Sequence, residues 1–270
     1  PSEAQLAQTE NLRLLQLTWA GADKYTRMEN LPQSVVLANA SGAFGTIIAE
    51  YAIGSLVALY RSFGRYWSNK QAHIWQKYDH AETISGKTAL VLGMGDIGAN
   101  VARRLKVFGA AVLGVKRTAV STVPEDFEEA HTLDALDALL PRADIVIGCL
   151  PNTRETAGLL TAERLHAMKA GAVLVNVGRG SLAGTDDLVS ALQDGHLGGA
   201  ALDVFENEPL PADCPLWDME NVLLTPHIAG PSFGGSADVQ NTIWHICMDN
   251  LERYLTGNPL KNVVNRSEGY

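Results

Sequence analysis

Leu90-Val-Leu-Gly93-Met-Gly95-Asp-Ile-Gly98 joins a short apolar run to an amphipathic one through a GxGxxG turn. Each glycine answers a steric need. Gly93 permits a tight turn, Gly95 lets the backbone approach a pyrophosphate, and Gly98 lets the following helix pack on the strand. The helix that starts there presents unbonded N–H groups and the positive end of its dipole to an anion. With Met94, Asp96 and Ile97 between them, these glycines form a candidate dinucleotide-phosphate cradle. An isolated GxGxxG also arises by chance in tight turns, so the flanking pattern has to carry the assignment.

From Lys87 onward, apolar runs alternate with amphipathic stretches. The runs are Thr88–Leu92, Ala111–Val115, Ile145–Leu150, Ala172–Val177, Gly199–Val204 and Val222–Thr225. Between them Ala99–Phe108 places Val101, Ala102, Leu105 and Phe108 on one helical face. Leu133, Leu136, Leu139 and Leu140 make a second stripe, which Pro141 is expected to end. The runs are nearly continuous in Val, Ile, Leu and Ala, as strands covered on both faces are. The fold class is therefore α/β, with a doubly wound parallel sheet.

The end of the second run bears on which dinucleotide fits. NAD enzymes carry an acid about 20 residues beyond the glycines, for the ribose 2′-hydroxyl. Here the chain reads Gly114-Val-Lys116-Arg117-Thr118, without an acid. Lys116 and Arg117 could pair with a 2′-phosphate, which a carboxylate would repel. Two solvated basic residues after a strand would look the same. The reading favours NADP(H), with NAD(H) as the alternative.

The 270 residues suggest about two domains at roughly 150 residues each. Charge is 21 Lys and Arg against 30 Asp and Glu, a net −9 with no like-charge cluster. Nucleic acid is a poor partner for such a surface, because phosphate contacts need clustered Lys and Arg. Cys149, Cys214 and Cys247 stand far apart, with no CxxC pair and no His at metal-ligand spacing. That argues against a disulfide framework and against a metal, and for a reducing, cytoplasmic setting. The longest apolar stretch, Tyr51–Tyr60, is about ten residues, whereas a membrane span takes roughly 20. No membrane partner is expected.

The first 80 residues differ in texture. Leu12–Leu17 is a strand candidate, and Thr18-Trp19-Ala20-Gly21-Ala22-Asp23 a small-residue loop. Ile47–Arg61 is a helix candidate rich in Ala, Gly and Ser, either an ordinary core helix or a subunit interface. Ser62–His80, with Trp67, Trp75 and Tyr78, reads as an arm or hinge. Ser236–Leu255 is a further helix candidate, stopped by Gly257 and Pro259.

Several motifs in order resemble the D-isomer-specific 2-hydroxyacid dehydrogenase family. They are Gly93–Gly98; Leu150-Pro151-Asn-Thr153 with Thr156 and Gly158; Val175-Asn-Val177-Gly178-Arg179-Gly180; Ala201-Leu-Asp203-Val-Phe-Glu-Asn-Glu208-Pro-Leu210; and Thr225-Pro-His227-Ile-Ala-Gly230. Within the family the chain looks most like glyoxylate/hydroxypyruvate reductases and general 2-ketoacid reductases. The resemblance implies two doubly wound parallel-sheet domains. Residues 81–231 would be a Rossmann dinucleotide-binding domain, inserted into a flavodoxin-like substrate domain of residues 1–80 plus 232–270. Relatives carry further opening strands before the point matching Pro1, so the substrate domain is expected to be incomplete here.

Reducing a 2-oxo acid requires a cation for the carboxylate, an acid for the new alkoxide, and a partner that keeps that acid protonated. The matched motifs imply Arg179, His227 and Glu208 for these roles. Arg179, between two glycines after a strand, has the planar fork that grips a carboxylate, although a surface Arg is the bland alternative. His227 follows Pro226 and can give or take a proton near neutrality. Glu206 competes with Glu208 as its partner, and the motif prefers the acid before the proline. Asp203 is implied as the acceptor for the nicotinamide carboxamide, or else merely caps a turn. Leu150, Pro151, Thr153, Val177, Gly178, Arg179, His227 and Gly230 would line the cofactor. Ala20, Gly21 and Ala22 would face the substrate carboxylate together with Arg179 and His227, with Trp19 beside them as a pocket wall or a core residue. Gly230–Gly235 reads as a hinge.

The expected protein is a cytoplasmic homodimer, associating through the 47–61 helix, that acts on a small-molecule 2-oxo or 2-hydroxy acid. The rival reading is a non-catalytic dinucleotide-sensing scaffold, like the transcriptional corepressor in the same family.

Overall fold

A computed structural model describes residues 1–6, 8–9, 11–79, 81–231 and 234–270. In chain order its elements are α1 (Glu3–Leu6), β1 (Leu14–Gln16), α2 (Asp23–Thr26), β2 (Val36–Ala38), α3 (Gly45–Tyr60), α4 (Phe63–Gln71), β3 (Thr88–Leu92), α5 (Asp96–Val107), β4 (Ala111–Lys116), β5 (Glu129–Thr132), α6 (Leu136–Leu139), β6 (Ile145–Gly148), α7 (Ala162–Ala167), β7 (Ala172–Asn176), α8 (Thr185–Gln193), β8 (Leu197–Leu202), β9 (Val222–Leu224) and α9 (Ala237–Thr256). The backbone packs as two compact units. One comprises Pro1–Phe44, Pro151–Thr153 and Pro231–Tyr270, the other Gly45–Leu150 and Arg154–Gly230.

The second unit is built on a seven-stranded sheet in the order β5-β4-β3-β6-β7-β8-β9. Every pairing is parallel. The chain starts at β3, winds outward to β5 and returns to β6, so the strand order reverses between β3 and β6. Open α/β sheets bind ligands at that reversal. The apolar runs become strands because they are buried on both faces: β6 and β7 have no exposed residue, and β3 is buried from Ala89 on. Helix α5 buries Gly98, Val101, Ala102 and Leu105 at three- and four-residue spacing. Helix α3 packs on α5 and on β7–β9, with Ala49, Ala52 and Leu56 wholly buried.

Two features differ from the sequence expectation, and one meets it. Strand β5 is Glu-Ala-His-Thr, with no apolar run; backbone pairing with Leu113–Lys116 places this half-buried edge strand, and Arg142 and His131 hold Glu129. As expected, α6 ends at Leu139, just before Pro141, which sits in a closing 3-10 turn, Leu140–Arg142, at a position where its missing N–H costs nothing. The stretch read as an arm contains α4, and beyond it Trp75 is fully exposed. His80, at the end of that stretch, lies outside the described residues. So do Ser232 and Phe233, on which the expected domain return and part of the Gly230–Gly235 hinge fall. The unit holding the large sheet begins at Gly45, upstream of Ala81.

The first unit has a two-stranded parallel sheet, β1-β2, over a core of Leu17, Tyr25, Met28, Leu31, Leu37 and Val264. Wholly buried Asn250 of α9 ties its parts together, donating to Gln16 Oε1 at 2.7 Å and accepting from the Lys261 N–H at 2.8 Å. Gly257 ends α9 in the left-handed region at φ 73°.

Candidate active site

The C-terminal edge of the seven-stranded sheet gathers the candidate residues of the second unit. The Gly93 N–H donates to Val115 O at 2.8 Å, which puts Lys116 and Arg117 directly after a residue bonded to the glycine turn. Gly93 has φ +105°. A Cβ on Gly98 would fall 1.8 Å from Gly93 O, so the turn closes only because both are glycine. Gly95 opens α5 with no side-chain cap, and a Cβ added there would meet nothing within 4 Å. The Asp96 carboxylate lies against Gly45 and accepts from Asn100 Nδ2 at 3.2 Å. The 12-residue helix therefore has an uncapped N-terminus that is open at Gly95, the kind of end that suits an anion. Met94 packs towards Gly114, and Leu150 is buried under Gly178.

Along the same edge, β7 ends in Asn176, 2% exposed. Its Nδ2 donates to Arg179 O at 2.9 Å and its Oδ1 accepts from the Gly178 N–H at 3.2 Å. This buried amide shapes the Val177–Arg179 turn, from which Arg179 Nη1 donates to Gly178 O at 2.8 Å.

The end of β8 organises the next loop. Asp203, 1% exposed, receives three donors: Thr225 Oγ1 at 2.6 Å and the Ile228 N–H at 2.8 Å on Oδ1, and the Ala229 N–H at 2.9 Å on Oδ2. Its carbonyl accepts the His227 N–H at 2.8 Å. His227 sits at φ 56°, a left-handed conformation that costs a non-glycine residue about 1–3 kcal/mol and persists only where surroundings over-determine it. Asp203 supplies that determination. The role inferred for it from sequence, towards a nicotinamide amide, is thus joined by one as anchor of the loop.

His227 Nδ1 lies 2.9 Å from Glu208 Oε2, and Glu208 Oε1 accepts the Phe205 N–H at 3.0 Å. Glu206 is turned elsewhere, accepting from the N–H and hydroxyl of Thr185 at the start of α8. Two acids two residues apart are therefore separated by geometry, and Glu208 is the one that meets His227. An ionised carboxylate only accepts, so Nδ1 carries the proton and Nε2 is the nitrogen left to exchange one.

Burial pushes the Cys149 thiol, between β6 and Leu150, up to about 12, which disfavours its thiolate. Among the described residues no group of three or more His, Cys, Asp or Glu is placed to hold a metal, and no helix is long and apolar enough to cross a membrane. A cavity of about 460 Å³ opens at the opposite edge of the sheet, between Tyr60, Lys87, Asp144 and Asn221, and contains none of the candidate residues.

In the first unit, Asn39 Nδ2 donates to Ala20 O at 2.7 Å and the Ala40 N–H to Trp19 O at 2.9 Å. These bonds set the shape of the Trp19–Ala22 loop, with Trp19 exposed and Ala22 buried. Pro151 and Thr153 pack with this unit.

The model of the D-isomer specific 2-hydroxyacid dehydrogenase NAD binding domain matches residues 53–229. The chain belongs to the D-isomer specific 2-hydroxyacid dehydrogenase family. Its activity is that of a 2-hydroxyacid dehydrogenase, and its cofactor is a nicotinamide dinucleotide. A glyoxylate reductase of Thermofilum pendens is 32% identical over 264 residues, covering 95% of this chain and 76% of that one. Among solved structures, a family member from Xanthobacter autotrophicus in complex with NADPH and MES has 34% identity and a TM-score of 0.87, covering 100% of this chain and 83% of that one. An NADPH-dependent glyoxylate/hydroxypyruvate reductase from Sinorhizobium meliloti, in complex with NADP and sulfate, has 30% identity and a TM-score of 0.87, covering 100% and 84%. In this dehydrogenase the sequence reading missed Asn176, whose bonds are to its near neighbours Gly178 and Arg179, and Thr225 and Tyr51, whose bonds join residues that no local pattern links.

Proposed function

We propose that the protein is an NADPH-preferring reductase of small 2-oxo acids of the glyoxylate and hydroxypyruvate class, with His227 as acid–base, Glu208 as its partner and Arg179 as the substrate clamp. The observation that carries this reading is the 2.9 Å Glu208–His227 pair at the C-terminal edge of the sheet. The nicotinamide supplies the hydride. The protein supplies the rest. Imidazolium at His227 gives its Nε2 proton to the carbonyl oxygen, and Glu208 stabilises the cation before transfer and keeps the ring's orientation after it. Arg179 holds the carboxylate and polarises the carbonyl beside it.

Residues 81–231 are assigned to the nucleotide and residues 1–80 plus 232–270 to the substrate, with the Trp19–Ala22 loop towards its carboxylate. Leu150, Pro151, Thr153, Val177, Gly178, Asp203 and Gly230 are assigned to the cofactor. Helix α3 is proposed as a homodimer interface, and the three free cysteines suit the cytoplasm.

The preference for NADP(H) rests on Lys116 and Arg117 and is supported by the NADP ligands of the two solved relatives. Replacing both with Gln is expected to weaken NADPH binding about ten- to a hundredfold, the effect of losing charge-assisted bonds to a phosphate, and to leave NADH nearly unchanged. Fluorescence titration with each nucleotide checks this, and equal weakening of both would remove the basic pair from the site. Initial rates with NADPH across a panel of 2-oxo acids test the substrate class. Tight nucleotide binding without turnover on any acid would favour the sensing scaffold instead.

A further inference from the structure

The Tyr51 hydroxyl of α3 lies 2.5 Å from Thr225 Oγ1, and Thr225 Oγ1 lies 2.6 Å from Asp203 Oδ1. The direction of these bonds follows from chemistry. An ionised carboxylate only accepts, so the single hydroxyl proton of Thr225 goes to Asp203. Thr225 Oγ1 is then an acceptor, and Tyr51 must be the donor. Burial holds the Tyr51 pKa above its ordinary value, so the phenol keeps the proton it donates. The result is a one-way relay, Tyr51 O–H to Thr225 O–H to the Asp203 carboxylate.

That carboxylate also receives the Ile228 and Ala229 N–H groups, and the Asp203 carbonyl receives the N–H of His227. Whatever fixes Asp203 therefore fixes the backbone on either side of His227, which stands at φ 56°. The relay reaches this loop from a helix on the face of the sheet, 174 residues away in sequence.

We propose that Tyr51 is a positioning residue for the reaction: through Thr225 and Asp203 it holds the His227 loop in the conformation that presents Nε2 to substrate. This rests on the reading of His227 as the acid–base. The Tyr51 hydroxyl bonds Thr225 and reaches the reaction only through Asp203, which is also assigned to the cofactor, so its loss should lower turnover more than nucleotide affinity.

The test is a set of variants of the full chain, assayed with NADPH and a turned-over 2-oxo acid. Tyr51→Phe keeps the ring and removes the hydroxyl, which bonds Thr225 and also Ser55. It is expected to lower kcat on the order of tenfold, as the hydrogen bond to the Thr225 hydroxyl is lost, with a smaller change in nucleotide affinity. In a Thr225→Val background the relay is already cut, so adding Tyr51→Phe should cost nothing more. In a Thr225→Ser background, which keeps the hydroxyl, the Tyr51→Phe loss should persist. Coupling of this kind distinguishes a relay from independent packing. An unchanged kcat in Tyr51→Phe, or equal losses in the Val and Ser backgrounds, would overturn the proposal. A His227→Ala control separates the two claims. If it retains full kcat, the acid–base reading fails. If it is inactive while Tyr51→Phe is unaffected, only the relay fails.

Discussion

His227→Ala is expected to lower kcat by about 10²–10⁴-fold, the contribution of a positioned general acid, while changing nucleotide affinity far less. The size of the effect follows from position. The side chain stands on a left-handed residue whose N–H is bound by the Asp203 carbonyl, and its Nδ1 faces Glu208 at 2.9 Å. Alanine deletes the proton donor and leaves the buried Asp203 contacts to Ile228 and Ala229 in place. The loss should therefore be chemical, with little change in Tm. Glu208→Gln should show part of the same loss, because the neutral amide no longer stabilises the imidazolium. Steady-state kinetics and nucleotide titration on the same preparations check this. A kcat within a fewfold of wild type would remove His227 as the acid.

The second large effect is expected at the glycine turn. Gly98→Ala brings a methyl to within 1.8 Å of the Gly93 carbonyl oxygen, a distance no relaxation of a side chain can absorb. The first turn of α5 must move, and with it the N–H groups proposed to face the phosphates. Loosening charge-assisted bonds to the phosphates should lower nucleotide affinity about ten- to a hundredfold. Tm should fall too, since Gly98 is buried against Val91. Gly95→Ala is the matching control. Its Cβ meets no atom of the chain within 4 Å, so Tm should hold while the nucleotide, which needs that space, is weakened. Calorimetric melting and nucleotide titration of the pair test the cradle. Full affinity in Gly98→Ala would contradict it.

The nucleotide-binding sheet was legible because its strands are buried on both faces and therefore continuously apolar. Thr88–Leu92 is read to the residue, and Ala111–Val115 and Val222–Thr225 to within one. Strand β5 was not legible, since Glu129–Thr132 has no apolar pattern and owes its conformation to pairing with β4. Nor was α4, whose nine residues combine exposed aromatic and charged side chains without a buried stripe. The candidate site divides in the same way. Gly93–Gly98, Arg179 and His227 are local signals at strand ends. The preference for Glu208 over Glu206 comes from the motif, but its physical reason is not local: one carboxylate turns back to His227 and the other turns to Thr185. Tyr51, Thr225 and Asn176 form ordinary elements of helix and strand when read in sequence. Only their placement against Asp203 and the Arg179 turn gives them a part in the site.

The most direct measurement incubates the full chain with hydroxypyruvate and NADPH, then resolves the 2-hydroxy acid product on a chiral column. We predict the D-isomer, formed in equal amount to the NADPH consumed and lost in His227→Ala. Nucleotide consumption without product, formation of the L-isomer, or no turnover with this or any other small 2-oxo acid would contradict the account.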